Sequence, residues 1–533
     1  MVDGSRSSPT AKARATWVRF LVPQVNDLLF LGLFAVLVFT PLSGRLLGDA
    51  GVGWHIRTGQ LIAQTKSIPR VDPFSSIMHG RPWFAWEWFY DLVVGKVESI
   101  AGLDGVVVMH AALIALVFAC TFLILRRRGT GLFLAIGLTT LAASASMVHF
   151  LARPHVLTWL FTVVWLGWLD DASVDAEPSD KKSLQLIWKL PVSMVFWVNI
   201  HGGFITGFVL LAAFAAGSMS SWLNARKSDF ADVRAAGRGR TLVYAGALSL
   251  VSTLANPYFW HLHAHIYRYL TDRWLMNHVQ EFQSPNFHDP AAKSFIALLF
   301  LTVIAYGFRS RPHRLTECLL VLFAISSGLY SARNLPVAAI LLAFVAGPLL
   351  NEALEQRTAR NPRGLMAALH RLSLRMGHMD AAFRGHFWPA LGVVLVAAMA
   401  VQGRVGSESL HAGFDPQRFP ENAVRELKAS ADHEPVFAPD YWGGYFIYEL
   451  YPGRLVVVDD RHDLYGAGMF KIYLNTYRLS TDWNEFIVMS NVKLIVWPKE
   501  QPLAQALRLS PDWKMVAEDE VSVTLRRRDG TVQ

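Results

Sequence analysis

The stretch LLFLGLFAVLVFTPLSGRLL (28–47) runs directly into GDAGVGWHIRTGQ (48–60). The first part is apolar over the roughly 20 residues that a helix needs to cross a bilayer. The second leaves that helix through an aspartate, two closely spaced glycines and then Trp-His-Ile-Arg. A surface loop needs none of these residues in particular. A site working at the edge of a bilayer has a use for all of them: a charge, a backbone free to approach a ligand closely, and an aromatic and basic flank.

Similar apolar blocks recur through about residue 402 of the 533. The chain is 53% hydrophobic and only 17% charged, with a mean hydropathy of +0.29, which is more apolar than a soluble domain of this size. The two cysteines, Cys120 and Cys318, sit inside apolar blocks; they read as small core hydrophobes and imply no disulfide framework. No secretory signal peptide is evident, because the first apolar run is too long and begins after about 25 residues. The formal charge of +9 is distributed as membrane topology requires, so no nucleic-acid partner is expected.

The pattern predicts a polytopic α-helical membrane protein with about eleven transmembrane helices of roughly 16–22 residues. They lie near 27–47, 104–125, 130–149, 156–171, 185–200, 203–223, 241–259, 292–309, 315–331, 335–350 and 387–402. The fifth is interrupted by Lys189 and Pro191. With the tail 1–26 and its Arg6, Lys12, Arg14 and Arg19 in the cytoplasm, every second connection is basic. These are Arg126 to Arg128, Lys181-Lys182, the 226–240 stretch, Arg309, Arg311 and Arg314, and the arginine-rich 352–386 stretch. The alternate connections are poor in Lys and Arg for their length, although the long first one holds five. That alternation is the positive-inside rule. It puts the protein in the cell's inner membrane, with residues 403–533 outside the cytoplasm.

The polar motifs then all fall on the outer side. The first outer loop, 48–103, carries Asp49, Trp54, His55, Arg57, IPRVDPFS (68–75) and GRPWFAWEWFYD (80–91). The third span ends in HFLARPH (149–155), NIHGG (199–203) joins the fifth and sixth, and ANPYFWHLHAH (255–265) leads into VQEFQSPNF (279–287). SARN (331–334) joins the ninth and tenth. Ionisable groups at membrane depth are costly and mark sites or pathways, so five such connections point to one cavity at the outer leaflet. Trp83, Trp86 and Trp88 are read as interfacial anchors. Asn256-Pro257 and Ser331 to Asn334 are read as satisfying helix ends. Of His261, His263 and His265, only the first and last share a helical face, so no metal site is assigned there.

Several of these motifs resemble a family of bacterial membrane proteins of the GT-C glycosyltransferase type, which includes relatives of dolichyl-phosphate-mannose protein mannosyltransferases. The resemblance rests on the Asp after the first span, W-H-I-R-T-G-Q (54–60), I-P-x-x-D-P-F-S (68–75) and G-x-P-W-x-A-W-E-W (80–88). R-P-H (153–155), N-x-H-G-G (199–203), N-P-Y (256–258), A-R-N (332–334), D-Y-W-G-G-Y (440–445) and V-V-V-D-D-R-H-D-L-Y-G (456–466) extend it over most of the chain. It implies transfer of a sugar from a polyprenyl-phosphate carrier to an extracytoplasmic glycan, lipid or protein, within reach of membrane lipids. It also implies a loop-one carboxylate as general base: Asp49 first, Asp72 next, Glu87 in support. For the departing phosphate it implies His55, Arg57, Arg153, His155, Arg333 and Asn334, with Asn199 and His201 nearby. One departure matters. Where the family pattern has a second acid two residues after the first, this chain has Gly51. A divalent metal is therefore possible and not required by the sequence.

After Gly51 and Gly53 the pattern predicts an amphipathic helix lying on the membrane surface. Residues 403–533 are more polar and predict a small extracytoplasmic α/β domain, with strands at PVFAP, RLVVVDD, VKLIVWP, WKMVAED and VSVTLRR and a helix at ENAVRELKAS. Its Asp459 to Asp463 cluster follows an apolar strand, a position where α/β domains place ligand sites. Two other readings compete with the transferase: a transporter of lipid or polysaccharide, and a non-catalytic carrier-binding partner in envelope assembly, which Gly51 keeps open. No inverted repeat is apparent, which weighs against transport.

Overall fold

The apolar blocks fold as helices because a chain crossing hydrocarbon has to satisfy its backbone groups internally. The computed structural model describes residues 19–172, 181–226, 233–309, 312, 314–405, 410 and 412–528. Arg6, Lys12, Arg14, Arg311 and part of 226–240 therefore lie outside the described residues. The principal helices are α1 (Val25–Phe39), α2 (Gly51–Thr65), α3 (Trp88–Arg127), α4 (Leu132–Ser146), α5 (His155–Asp171), α6 (Lys181–Val198), α7 (Ile205–Arg226), α8 (Val233–Ser252) and α9 (Trp260–Thr271). They continue with α10 (Pro290–Gly307), α11 (Leu315–Tyr330), α12 (Leu335–Arg360), α13 (Leu365–Asp380), α14 (Phe387–Val405), α15 (Glu421–Ala429), α16 (Asp440–Leu450) and α17 (His462–Tyr477). Among the described residues six helices are long and apolar enough to cross a membrane: Arg19–Phe39, Trp88–Arg127, Leu132–His149, Gly202–Leu223, Pro290–Gly307 and Ala332–Arg360. The chain is a multi-pass membrane protein. The other five expected segments are also largely helical, three of them as shorter apolar helices at Leu184–Val198, Leu315–Tyr330 and Phe387–Gly403.

Some boundaries differ from the sequence expectation for local reasons. The first apolar run breaks at Thr40-Pro41, where proline cannot continue the hydrogen-bond ladder, and resumes as a short helix, Leu42–Leu46. Within α3, Gly102 adopts φ 62° and ψ −162°, so the element is two helices meeting at a kink that a side chain would resist. Helix α8, on the expected seventh span, ends at Ser252. Beyond it, Asn256 turns the chain as expected of a helix end, donating to the Thr253 and Phe259 carbonyls and accepting from Tyr258 N–H.

Helix α12 is the axis of the body. It is buried continuously from Leu335 to Gly347 and packs against α4, α10 and α11. Around it the connections sort to two ends. At one end Arg128 pairs with Asp170 and Glu317, Arg309 pairs with Glu317, and Gly131 N–H donates to Asn351. At the other, Ala152 N–H donates to Leu46, Asn199 to the Ala255 carbonyl, and Ala332 N–H to Gln283. The connections expected on one membrane face thus gather at one end of the molecule.

The C-terminal part forms a four-stranded sheet of order β1-β2-β4-β3, with β1 Val436–Phe437, β2 Leu494–Pro498, β3 Trp513–Glu518 and β4 Ser522–Arg527. The β1–β2 pair is parallel and the others antiparallel. The expected strand RLVVVDD does not form a ladder. Its Val456 makes single parallel bridges to Ser75 on one side and Val436 on the other, because its two neighbours are a loop and a two-residue strand. That segment therefore stitches the first loop to the sheet. The two regions also share a core, in which Trp54, Phe74 and Trp83 pack with Trp442, Phe446 and Val456.

Two expectations fail for the same reason. Helix α2 does not lie on a surface: it packs against both α3 and α16, with Val52, His55 and Ile56 fully buried. Trp83 is not an interfacial anchor, because the loop folds inward beneath the C-terminal segment, whereas Trp86 and Trp88 are half-buried. Trp83 is buried in edge contact with Trp54 and Phe74, Trp86 lines a cavity, and Trp88 donates to Asn199.

The clamp between loop and segment is ionic. Arg461 reaches Asp72 Oδ1 at 2.8 Å and Asp459 Oδ1 and Oδ2 at 2.8 and 2.7 Å, with its guanidinium over the Phe74 and Trp83 rings. Asp72 is fully buried and also accepts from the Phe74 and Ser75 N–H groups. The expectation that Asp72 is the reserve catalytic base is thus corrected: its carboxylate is committed to Arg461 and to its own turn. Removing one partner of a buried pair costs about 3–5 kcal/mol. Asp72→Asn should accordingly lower the unfolding midpoint of the detergent-solubilised protein by several degrees; an unchanged midpoint would mean that Asp459 alone satisfies Arg461.

Candidate functional site

Asp49 stands one residue ahead of the α2 N-cap, and its Oδ1 accepts the Gly51 N–H at 2.8 Å, which closes the turn. Arg153 enters from the turn before α5 and places Nη1 at 2.9 Å from Asp49 Oδ1 and 3.1 Å from Asp460 Oδ2. The Trp54 indole N–H donates to Asp460 Oδ1 at 3.0 Å. Three segments distant in sequence thus converge on one guanidinium. Position 51 has to be glycine for this: a Cβ there would fall 1.5 Å from Arg153 Nη1 and 2.5 Å from Asp460 Oδ2.

Behind this cluster lies a second layer. Glu87, the N-cap of α3, sits 3.7 Å from His55 Nε2 and 3.8 Å from His201 Nε2. His55 Nδ1 is 2.6 Å from Asp91. His201 meets Thr158 and the Gly203 N–H through Nδ1, and Arg333 Nη2 at 3.0 Å through Nε2. Arg333 Nη1 pairs with Glu281 at 2.5 Å. On the segment side, His462 meets Asp440 and His265 meets Asp463, each at 3.0 Å.

Asp49, Trp54, Glu87, Arg153, His201, Glu281, Arg333, Asp460, His462 and Asp463 line one cavity of about 470 Å³, and His55, Asp91, Asp440 and His265 are not part of its lining. One part of its wall is polar: Asp49, Glu87, Arg153, His201, Glu281, Arg333 and Asp460 to Asp463. Another is apolar, formed by Trp159, Ile205, Val209, Phe323, Tyr330 and Val337 on α5, α7, α11 and α12. Burial sets the protonation. It pushes the Glu87 carboxyl up to about 8, against Arg153 and Arg333, and Asp460 to about 6, against Arg153. Burial, then Arg153, holds His55 below its ordinary value; burial, then Arg333, does the same for His201. Burial also works against the charge of Glu281, but Arg333 and Arg153 outweigh it and hold that carboxyl below its usual range. At neutral pH the site therefore combines a protonated Glu87 and neutral His55 and His201 imidazoles with an ionised Glu281.

Of the residues singled out from sequence, Asp49, Glu87, Arg153, His155, His201, Arg333 and Asn334 line this cavity. Four do not. Asp72 is held by Arg461, as above. Arg57 donates through Nε and Nη2 to the Tyr448 carbonyl and through Nη1 to Gln60, bracing α2 on α16. Asn199 bridges the Val195 and Ala255 carbonyls and Trp88, tying α6 to the turn after α8. His55 lies one layer back, against Glu87 and Asp91. Asp460, read from sequence only as part of a candidate ligand cluster at a strand end, also lines the cavity, as do Glu281 and His149, to which the sequence reading gave no individual role; their motifs, VQEF and HFLARPH, carried the signal.

A divalent cation shared by two carboxylates does not fit these residues as they stand. The second carboxylate nearest Asp49 is Asp460, and Arg153 Nη1 already lies between the two. Among the described residues no group of three or more His, Cys, Asp or Glu is placed to hold a metal ion.

Neither a family model nor a curated protein sequence matches the chain. Solved structures do. The archaeal oligosaccharyltransferase AglB from Archaeoglobus fulgidus, in complex with an inhibitory peptide and a dolichol-phosphate, superposes with a TM-score of 0.54 at 12% identity, over 95% of this chain and 74% of that one. ArnT from Cupriavidus metallidurans, bound to undecaprenyl phosphate, superposes with a TM-score of 0.50 at 15% identity, over 98% and 99%. The chain shares the fold of these two proteins. At these identities the likeness is one of architecture, and function has to be argued from the site.

The protonation of Glu87 makes a prediction. Between its ordinary 4.5 and about 8, the folded protein keeps a proton that the unfolded chain has released, so stability falls as pH rises through that window. Glu87→Gln, which is neutral throughout, should flatten the unfolding midpoint across the same range. A midpoint with the same pH slope in both proteins would show that Glu87 ionises normally.

Proposed function

We propose that this chain is a membrane glycosyltransferase that moves a sugar from a polyprenyl-phosphate carrier to an extracytoplasmic acceptor. The observation that carries the reading is the two-part cavity, lined by polar groups that include three arginines, Arg153, Arg333 and Arg461, and by apolar side chains from membrane helices. A molecule with a phosphate head and a hydrocarbon tail matches both parts. The solved structures of the same fold were obtained with such molecules, dolichol-phosphate and undecaprenyl phosphate. The site-forming ionisable groups gather at one end of the body, which favours chemistry at that face over a transport path through it.

On this reading about eleven spans between residues 27 and 402 form the GT-C body in the inner membrane, with the tail 1–26 in the cytoplasm. The first outer loop and residues 403–533 cover the outer face. The donor lies with its tail along Trp159, Val209, Phe323 and Val337 and its phosphate towards Arg333 and His201, with His155, His149 and Asn334 on the same wall. Asp49 takes the proton of the acceptor hydroxyl as that oxygen bonds to the anomeric carbon. The anomeric C–O bond to phosphate breaks, and its electron pair leaves with the polyprenyl phosphate, whose growing charge faces Arg333. Glu87, protonated at neutral pH, donates a hydrogen bond into the site. The acceptor is a glycan, lipid or protein hydroxyl.

The test is transfer in reconstituted proteoliposomes, offering a panel of polyprenyl-phosphate sugars with envelope lipids and glycans as acceptors. Asp49→Asn should lower the rate by about 10²–10⁴ while the protein stays folded, since general base catalysis supplies that much. Arg333→Gln should weaken carrier binding by about tenfold or more, because it removes a charge-assisted contact worth about 1.5–3 kcal/mol. Well-folded wild type that neither transfers sugar nor binds any carrier would sink the proposal. Activity that survives at Asp49→Asn would move the base elsewhere in the cavity.

A further inference from the structure

We propose that the guanidinium of Arg153 is the resident cation of this site, and that Asp460 supplies the second carboxylate that Gly51 leaves missing from the first loop. The inference concerns the cavity read above as a transferase centre, and its test reads ion binding, so it stands or falls separately from sugar transfer.

Four observations support it. A single nitrogen, Arg153 Nη1, contacts Asp49 Oδ1 at 2.9 Å and Asp460 Oδ2 at 3.1 Å, and so occupies the space between the two carboxylates. A divalent ion bound there would need oxygens at about 2.0–2.6 Å, which the guanidinium prevents while it is in place. Both carboxylates are also fixed from behind, Asp49 by the Gly51 N–H and Asp460 by the Trp54 indole. They are thus oriented towards the cation and not merely near it. Third, the cation and position 51 are mutually exclusive with a side chain: a Cβ at 51 would meet Nη1 at 1.5 Å. An acid at 51 and Arg153 in this pose cannot coexist, so loss of the local acid and presence of the internal cation are one structural choice. Fourth, the Arg153 guanidinium lies over the Trp54 ring, an arrangement that favours a planar, weakly hydrated cation.

The charge balance differs from that of a metal site. One guanidinium against two carboxylates leaves a net negative charge, where a divalent ion would leave none.

The experiment is a Mn²⁺ titration of the full chain in detergent, followed by the electron paramagnetic resonance signal of free Mn²⁺. Wild type and Arg153→Lys, which both keep a cation, should show no saturable site that depends on Asp460. Arg153→Ala should gain one equivalent, bound at least about tenfold more tightly than by wild type, because two preset carboxylates then face an open space. That gain should vanish when Asp460→Asn is added. A wild type that binds one equivalent and loses it on Asp460→Asn would overturn the proposal, as would a folded Arg153→Ala that binds none. If Arg153→Ala does not fold, wild type against Asp460→Asn decides alone: equal titrations uphold the resident guanidinium, and unequal ones overturn it.

Discussion

The buried Arg461 joins what the chain keeps far apart. It belongs to the C-terminal segment, yet it holds Asp72 of the first loop and Asp459 of its own strand end in one ion cluster, roofed by Phe74 and Trp83. A charge removed this far from water is tolerable only when its partners and hydrogen bonds are complete. The loop therefore has to fold as it does, with Asp72 capping the turn at Phe74 and Ser75. From that constraint follow the buried Trp54, the covering of α2 by α16, and the delivery of Asp460 to Arg153. The site is held together by a clamp whose Arg461 also borders the cavity.

Much of this was legible in the sequence, and the reasons are physical. Apolar blocks of bilayer length fold as helices whatever surrounds them, so the helical body could be read along the chain. The connections that would face outward could be sorted by charge, and they do gather at one end. Asp49, Glu87, Arg153, His201 and Arg333 were picked because ionisable groups at such helix ends are costly without a purpose, and they share a cavity. What could not be read was partnership. Asp49 and Asp72 are acids of one loop, ranked first and next as the base, and only the fold shows that Asp72 meets Arg461 and Asp49 meets Arg153. Arg57 sits in the most distinctive motif yet holds a backbone carbonyl. RLVVVDD has the composition of a strand but no full-length neighbour to pair with.

The cavity's electrostatics depend on its depth. Imidazoles in water would share protons near neutral pH, but here burial keeps His55 and His201 neutral. Burial likewise leaves Glu87 with its proton, while Arg333 keeps Glu281 ionised. The carboxyls of one pocket are thus driven to opposite states by their immediate neighbours, which is how a site holds an acid and a base at one pH. Glu281 has a further effect. By pairing with Arg333 it keeps that guanidinium in position at the boundary between the polar and apolar walls, where a lipid phosphate would compete for it.

Position 51 shows how such a site can be rearranged without losing its parts. An acid two residues after Asp49 would belong to the same turn and would be present whenever that turn formed. Asp460 lies 406 residues from Trp54, its hydrogen-bond donor, and reaches Asp49 only when the C-terminal segment is docked on the first loop. The carboxylate pair is then a property of the assembled protein and not of a local motif. The same holds for the cation, since Arg153 fills a space that exists only because Gly51 has no side chain. A chain whose segment came loose would keep Asp49 and Arg153 but lose the second carboxylate and the Trp54–Asp460 bond together. The geometry of the candidate site and docking of the C-terminal segment are therefore linked, and what stabilises Arg461 in its clamp also favours the Asp49–Arg153–Asp460 cluster.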